Sequence, residues 1–175
     1  MNALADISAL LSQTGAKPPV ERWNPAHCGT LDLVIKRDGR WVHEGSPMGR
    51  ARMVKLFSSV LRREADDSYV LVTPAEKLTI TVEDAPFAMV EARIEGVGEG
   101  RQLALRDTVG DWVAAGPEHP LRLVSTKEAF KPYILVRGRL EGLASRSVAQ
   151  EIADCLDEDA SGLWAGGVRF PVLTA

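Results

Sequence analysis

Thr30-Leu-Asp-Leu-Val-Ile-Lys36, running into Arg37-Asp-Gly-Arg40 and Trp41-Val42, is the stretch on which the fold turns. Residues 30–36 alternate apolar and polar, the period of a strand with one buried face. The Asp-Gly pair supplies a tight turn, so the spacing predicts a β-hairpin that returns through Trp41. Gly45-Ser-Pro-Met-Gly49 comes next, with Ser46 placed to cap a helix and Pro47 suited to its first turn. Met53, Val54, Phe57, Val60 and Leu61 form one apolar stripe, which predicts a helix over 47–63. Arg50, Arg52, Lys55, Arg62 and Arg63 would give that helix a basic side.

Outward from this hairpin and helix, short strands are predicted at 69–72, 78–82, 87–95, 102–106, 121–124 and 133–136, with a helix at 147–156. In the 87–95 strand Val90, Ala92 and Ile94 are expected to face the core. Leu4, Ile7, Leu10 and Leu11 recur at helical spacing, so residues 2–13 should form a short amphipathic helix. The stretch from Thr14 to Pro19 then acts as a linker. An internal echo points to duplication. Gly39-Arg-Trp-Val-His-Glu-Gly-Ser-Pro47 and Gly110-Asp-Trp-Val-Ala-Ala-Gly-Pro117 share Gly-x-Trp-Val-x-x-Gly, and Tyr69-Val-Leu-Val72 matches Tyr133-Ile-Leu-Val136 in the same order. Trp41 and Trp112 should then lie at equivalent positions. The expected division is an N-terminal helix and linker (1–20), a first β-rich α+β half (21–90) and a second (91–175). The boundary between the halves falls in the turn-rich window 84–100.

Composition narrows the function classes. A chain of 175 residues with 45% hydrophobic and 26% charged residues has ordinary globular proportions. It is long enough to fold without disulfide or metal. A net charge of −3 argues against general affinity for nucleic acid or anionic membrane. No apolar run approaches the roughly 18 residues of a membrane span. The first residues, MNALADISALLSQ, carry no basic charge and do not read as a secretory signal. Two cysteines form no disulfide framework, so the expectation is a cytoplasmic protein with reduced thiols.

Chemistry concentrates in Trp23-Asn-Pro-Ala-His-Cys-Gly-Thr30, which holds Cys28 in a loop bounded by Pro25 and Gly29. A thiol becomes a nucleophile only as thiolate, which needs a nearby cation, base or helix N-terminus. Adjacent His27 points to the opposite side in extended chain, whereas His43 and Arg50 follow the hairpin and approach the predicted helix start. Ser46, Gly49 and Arg50 there could hold a phosphate or carboxylate. The opposing interpretation is that Cys28 is a small buried hydrophobe. Cys155, on the apolar stripe of the 147–156 helix, is expected to be buried and inert. There is no C-x-x-C, H-E-x-x-H, P-loop or G-x-S-x-G spacing, so neither a dedicated metal site nor a standard cofactor is indicated. The candidate site set is Cys28 as nucleophile, with His27, Trp41, His43, Ser46 and Arg50 for binding.

WNPAHCG at 23–29, RDGRWVHEGSPMGR at 37–50, LFSSVLRRE at 56–64, LVTPAEKLTITVEDAPF at 71–87, PYILVRGRLEGL at 132–143 and GLWAGGVRF at 162–170 together resemble a bacterial family known as domain of unknown function 1285. The resemblance covers Trp23 to about Phe170. It departs after RGRLEGL, where an aromatic-rich helix is usual and SVAQEIADCL stands here. It implies a duplicated α+β architecture with a C-terminal half like a pleckstrin-homology roll. It further implies a site between the halves and a role for Cys28. The expected function is a module for a small anionic ligand or a peptide, in signal transduction. The alternative is a cysteine-dependent enzyme acting through Cys28 on an acyl, thioester or disulfide-type substrate.

Overall fold

The computed structural model describes residues 17–175, so the expected 2–13 helix lies outside the described residues. The chain divides into two compact units. The first comprises the described residues through Lys36 together with Arg40–Glu83. The second comprises Arg37–Gly39 and Asp84–Ala175. Among the described residues no helix is long and apolar enough to cross a membrane.

In the first unit six strands are His27–Ile35 (β1), Trp41–His43 (β2), Ser46–Pro47 (β3), Leu61–Arg63 (β4), Tyr69–Val72 (β5) and Lys77–Val82 (β6). They form one sheet in the order β3-β2-β1-β6-β5-β4. Helix α1, Ala51–Ser59, buries Phe57 and Ser58. It is shorter than the 47–63 expectation, at both ends for local reasons. Glu44 and Gly45 both take positive φ (48° and 74°), which makes a two-residue hairpin turn of the kind that matches strand twist. His43 therefore pairs with Ser46 and Val42 with Pro47, so Ser46 caps no helix. Pro47 is tolerated because β3 is an edge strand. At the other end the Ser58 and Ser59 hydroxyls donate back to the carbonyls of Lys55 and Leu56, and Val60 leaves helical geometry. Leu61, Arg62 and Arg63 then run as strand, not as the helix's basic side.

The edge at β4 is closed by side-chain chemistry. Arg62 is only 8% exposed; its Nη1 donates to the carbonyls of Val20 and Trp23, both at 2.7 Å, and its Nε donates to Glu64 at 2.6 Å. A buried guanidinium is tolerable only with such partners.

The second unit contains Phe87–Glu95 (β7), Gln102–Asp107 (β8), Trp112–Ala114 (β9), Leu121–Ser125 (β10), Phe130–Arg137 (β11), Leu140–Ala144 (β12), helix α2 at Arg146–Ala153, Gly162–Ala165 (β13) and Val168–Thr174 (β14). The sheet order is β13-β14-β10-β11-β12-β7-β8-β9. Ser145 caps α2 by accepting the Val148 N–H, and Val148, Ala149 and Ile152 bury its inner face. Because α2 ends at Ala153, Cys155 lies in the following turn and is half-buried rather than packed on a helix stripe. Val90 is 43% exposed, contrary to expectation, because the β7–β8 register shifts between Met89 and Glu91 and leaves Val90 as the extra residue. Gly166 (φ 57°) allows the β13–β14 turn to close on the chain at Ala115. A Cβ there would lie 2.1 Å from the Ala115 carbonyl oxygen.

Duplication is written in the strand pairing. Both units have antiparallel contacts between their first and second, second and third, fourth and fifth, and fifth and sixth strands. Both also have a parallel contact between first and sixth: β1 with β6, and β7 with β12. Thus β5 and β11 correspond, and with them Tyr69 and Tyr133. Each tyrosine lies opposite an arginine on the preceding strand that stacks over its ring: Arg63 on Tyr69 at 5.4 Å and Arg122 on Tyr133 at 3.9 Å. The tryptophans do not correspond. Trp41 is on the second strand of its unit and Trp112 on the third, so that half of the echo is a shared hairpin signal rather than an equivalent position. Outside the shared six strands the units differ. The first places a helix between its third and fourth strands. The second adds α2, β13 and β14 after its sixth, with β14 parallel to β10.

Candidate functional site

Strand alternation places Leu31, Leu33 and Ile35 on one face of β1. Leu33 pairs with His43 and Ile35 with Trp41, so the two β2 side chains join that face. Helix α1 lies over it and presents Met53 and Phe57, one turn apart. At one end the packing is closed: Ile35 is inaccessible, and Trp41 stacks on Phe57 with ring centroids 6.4 Å apart and planes inclined by 15°. Toward the other end Leu31, His43, Met48 and Met53 are only half-buried. A cavity of about 250 Å³ remains there, lined by Leu31, Leu33, His43, Met48, Gly49, Arg50, Met53 and Phe57.

Five of those side chains are apolar, and His43 and Arg50 are the polar ones. Arg50 is exposed and sits at the rim, directly before α1 in extended geometry (φ −92°, ψ 99°). No hydrogen bond or ion pair holds either side chain among the described residues. The first turn of α1 contains no acidic residue, and no side chain caps it. Among the described residues no carboxylate lines the cavity. The chemical capacity of the arrangement is to take an apolar body inward and a hydrogen-bond acceptor at the rim.

The expected site residues separate. His43 and Arg50 come together at this cavity. Trp41 is 4% exposed and supports the wall through Phe57. Ser46 is exposed on β3 and is not a lining residue. Cys28 is exposed in β1, and its Sγ donates to the Ala26 carbonyl at 3.3 Å. His27 is exposed, and its Nε2 lies 3.0 Å from the Thr79 hydroxyl on neighbouring β6. Neither His27 nor Cys28 lines the cavity. The lining missed in the sequence is apolar. Met53 and Phe57 carried a helical signal, but one indistinguishable from core packing.

The perturbed acid–base groups lie elsewhere. Burial pushes the Asp107 carboxyl up, although the Val109 and Asp111 N–H groups donate to it at 3.0 and 2.9 Å. Tyr133 is raised to about 12, first by burial and then by its hydrogen bond to Asp84, where Oη donates to Oδ1 at 2.8 Å. Both groups are explained by a turn and by an ion-pair network in which Lys131 Nζ also approaches Asp84 at 3.2 Å. Among the described residues no group of three or more His, Cys, Asp or Glu side chains is placed to hold a metal ion.

Residues 18–85 match a family model described as domain of unknown function (DUF1285), N-terminal domain, and residues 86–172 match protein of unknown function (DUF1285), C-terminal domain. Among solved structures the chain is similar to a DUF1285 family protein from Silicibacter pomeroyi DSS-3. The identity is 38%, the TM-score is 0.87, and the match covers 100% of this chain and 97% of that one. It is also similar to a DUF1285 family protein from Shewanella baltica OS155, at 25% identity and a TM-score of 0.56 over 73% of this chain and 94% of that one. No curated protein matches the chain.

Proposed function

The chain belongs to the domain of unknown function 1285 family, whose name states no activity, and from its own residues we propose that it is a ligand-binding module whose first unit captures a small, largely apolar molecule. The carrying observation is the cavity of about 250 Å³ between α1 and the β1–β2 face. Ligand pockets combine apolar walls with a few polar groups that fix orientation. His43 and Arg50 supply that combination here. We place the protein in the cytoplasm, where its two free cysteines stay reduced, and assign it a sensing role in signal transduction.

Thermal-shift screening of the full chain against a small-molecule library tests this reading. A ligand at 100 times its dissociation constant adds about 2.7 kcal/mol to stability. Met53→Trp, which fills the cavity from α1, should abolish the shift for every hit. Hits that stabilise wild type and Met53→Trp equally would sink the proposal.

A further inference from the structure

We propose that the ligand of this cavity is a small amphiphilic monocarboxylate, its apolar body between α1 and the β1–β2 face and its carboxylate at Arg50. This rests on the binding reading above and adds the chemical class. Size sets the body. A dry cavity of about 150 Å³ holds benzene. The present one, at about 250 Å³, therefore suits an apolar body of roughly six to ten carbons. Met48 and Met53 are unbranched and polarizable, so the wall can adapt to a chain or to a ring.

Charge sets the head group. Arg50 offers a planar fork of donors and no acceptor, which matches a carboxylate in bidentate geometry. Its guanidinium has no partner among the described residues, and no acidic side chain of the cavity or of the first turn of α1 competes for it. His43, likewise without a partner among the described residues, can donate to the same oxygens. An ammonium head would be repelled by Arg50. A phosphate dianion would meet only one fixed cation, too few for a strong site. The helix N-terminus adds a favourable partial charge at this rim, a minor contribution beside the guanidinium.

Calorimetric titration of the full chain with octanoate, 1-octanol and inorganic phosphate decides the matter. Octanoate should bind at least about tenfold more tightly than 1-octanol, the ratio that one charge-assisted hydrogen bond supplies. Arg50→Gln, at an exposed position where the fold is not at stake, should remove that preference, so that octanoate binds no more tightly than 1-octanol. Equal binding of octanoate and 1-octanol, a preference that survives Arg50→Gln, or phosphate binding as tight as octanoate would each overturn the carboxylate assignment while the apolar cavity stands. Saturable binding of neither octanoate nor 1-octanol would overturn both this assignment and the cavity reading beneath it.

Discussion

The two Gly-x-Trp-Val hairpins share a turn and differ in the face they bury. In each, a glycine at positive φ (Gly39 at 85°, Gly110 at 94°) precedes the tryptophan, and a backbone bond spans the turn. Lys36 N–H donates to Arg40 in the first, and Asp107 N–H donates to Asp111 in the second. Trp41 then pairs with Ile35, and both are buried. Trp112 pairs with Arg106, and both point to solvent. Trp112 is 37% exposed, with Arg93 4.4 Å and Arg106 5.8 Å from its ring centroid. The cross-strand neighbour separates the cases: isoleucine opposite the indole makes a core face, arginine a solvated one. Hairpin chemistry sets the backbone, and the partner strand sets the side of the sheet on which the tryptophan is useful.

The sharpest way to break this comparison is truncation. Trp41→Ala should cost about 3–5 kcal/mol in urea unfolding, because it removes a buried ring stacked on Phe57. Trp112→Ala should cost about 1 kcal/mol or less, the scale of exposed cation–π contacts. Equal losses would show that the two faces are not energetically distinct.

A second contrast concerns the fourth strand of each unit. At β4 an arginine closes the edge, whereas at β10 the ladder to β14 does so. Arg62→Met should lose about 2–3 kcal/mol, since two carbonyls and Glu64 lose a buried donor. Arg122→Met, whose own side chain is 44% exposed while its bidentate partner Glu141 is half-buried, should lose less, about 1 kcal/mol. Chemical denaturation of both variants compares them directly.

The paired tyrosines give a test in pH. Tyr133 keeps its proton in the folded state up to about pH 12, while the unfolded chain releases it near the ordinary tyrosine value of about 10. The folded state then binds the extra proton. That contribution is complete below pH 10 and is lost as pH rises toward 12. Tyr133→Phe should flatten the alkaline fall of stability over this range. An unchanged slope would show that the Asp84 hydrogen bond and burial of this ring do not couple to titration.

The smallest effect belongs to the thiols. Cys28→Ser should change stability by less than about 0.5 kcal/mol, the usual range for exposed substitutions. A thiol reagent should modify native Cys28 before half-buried Cys155. Faster reaction at Cys155 would invert the ranking by exposure.

Much of the architecture was legible because it is local. The Asp-Gly turn, the alternation in 30–36 and the Tyr-x-Leu-Val repeat act within a few residues, and each corresponds to a real strand or hairpin. The family resemblance likewise followed from short blocks along the chain. Local signals misled where two turn chemistries competed. Gly45-Ser-Pro could open a helix or close a hairpin, and Glu44 adopting positive φ chose the hairpin. Val90 reads as a core residue by alternation, and one bulge turned it outward.

By itself, then, the sequence determined two β-rich halves, their repeated tyrosine strand and the residues able to carry chemistry. Tertiary structure alone decided which of those residues meet. His43 and Arg50 share a cavity because α1 crosses the β1–β2 face, while Cys28, only a few residues before Leu31, opens to solvent. The reason is physical: strand period fixes that successive side chains alternate, but which side becomes the interior depends on what packs against it.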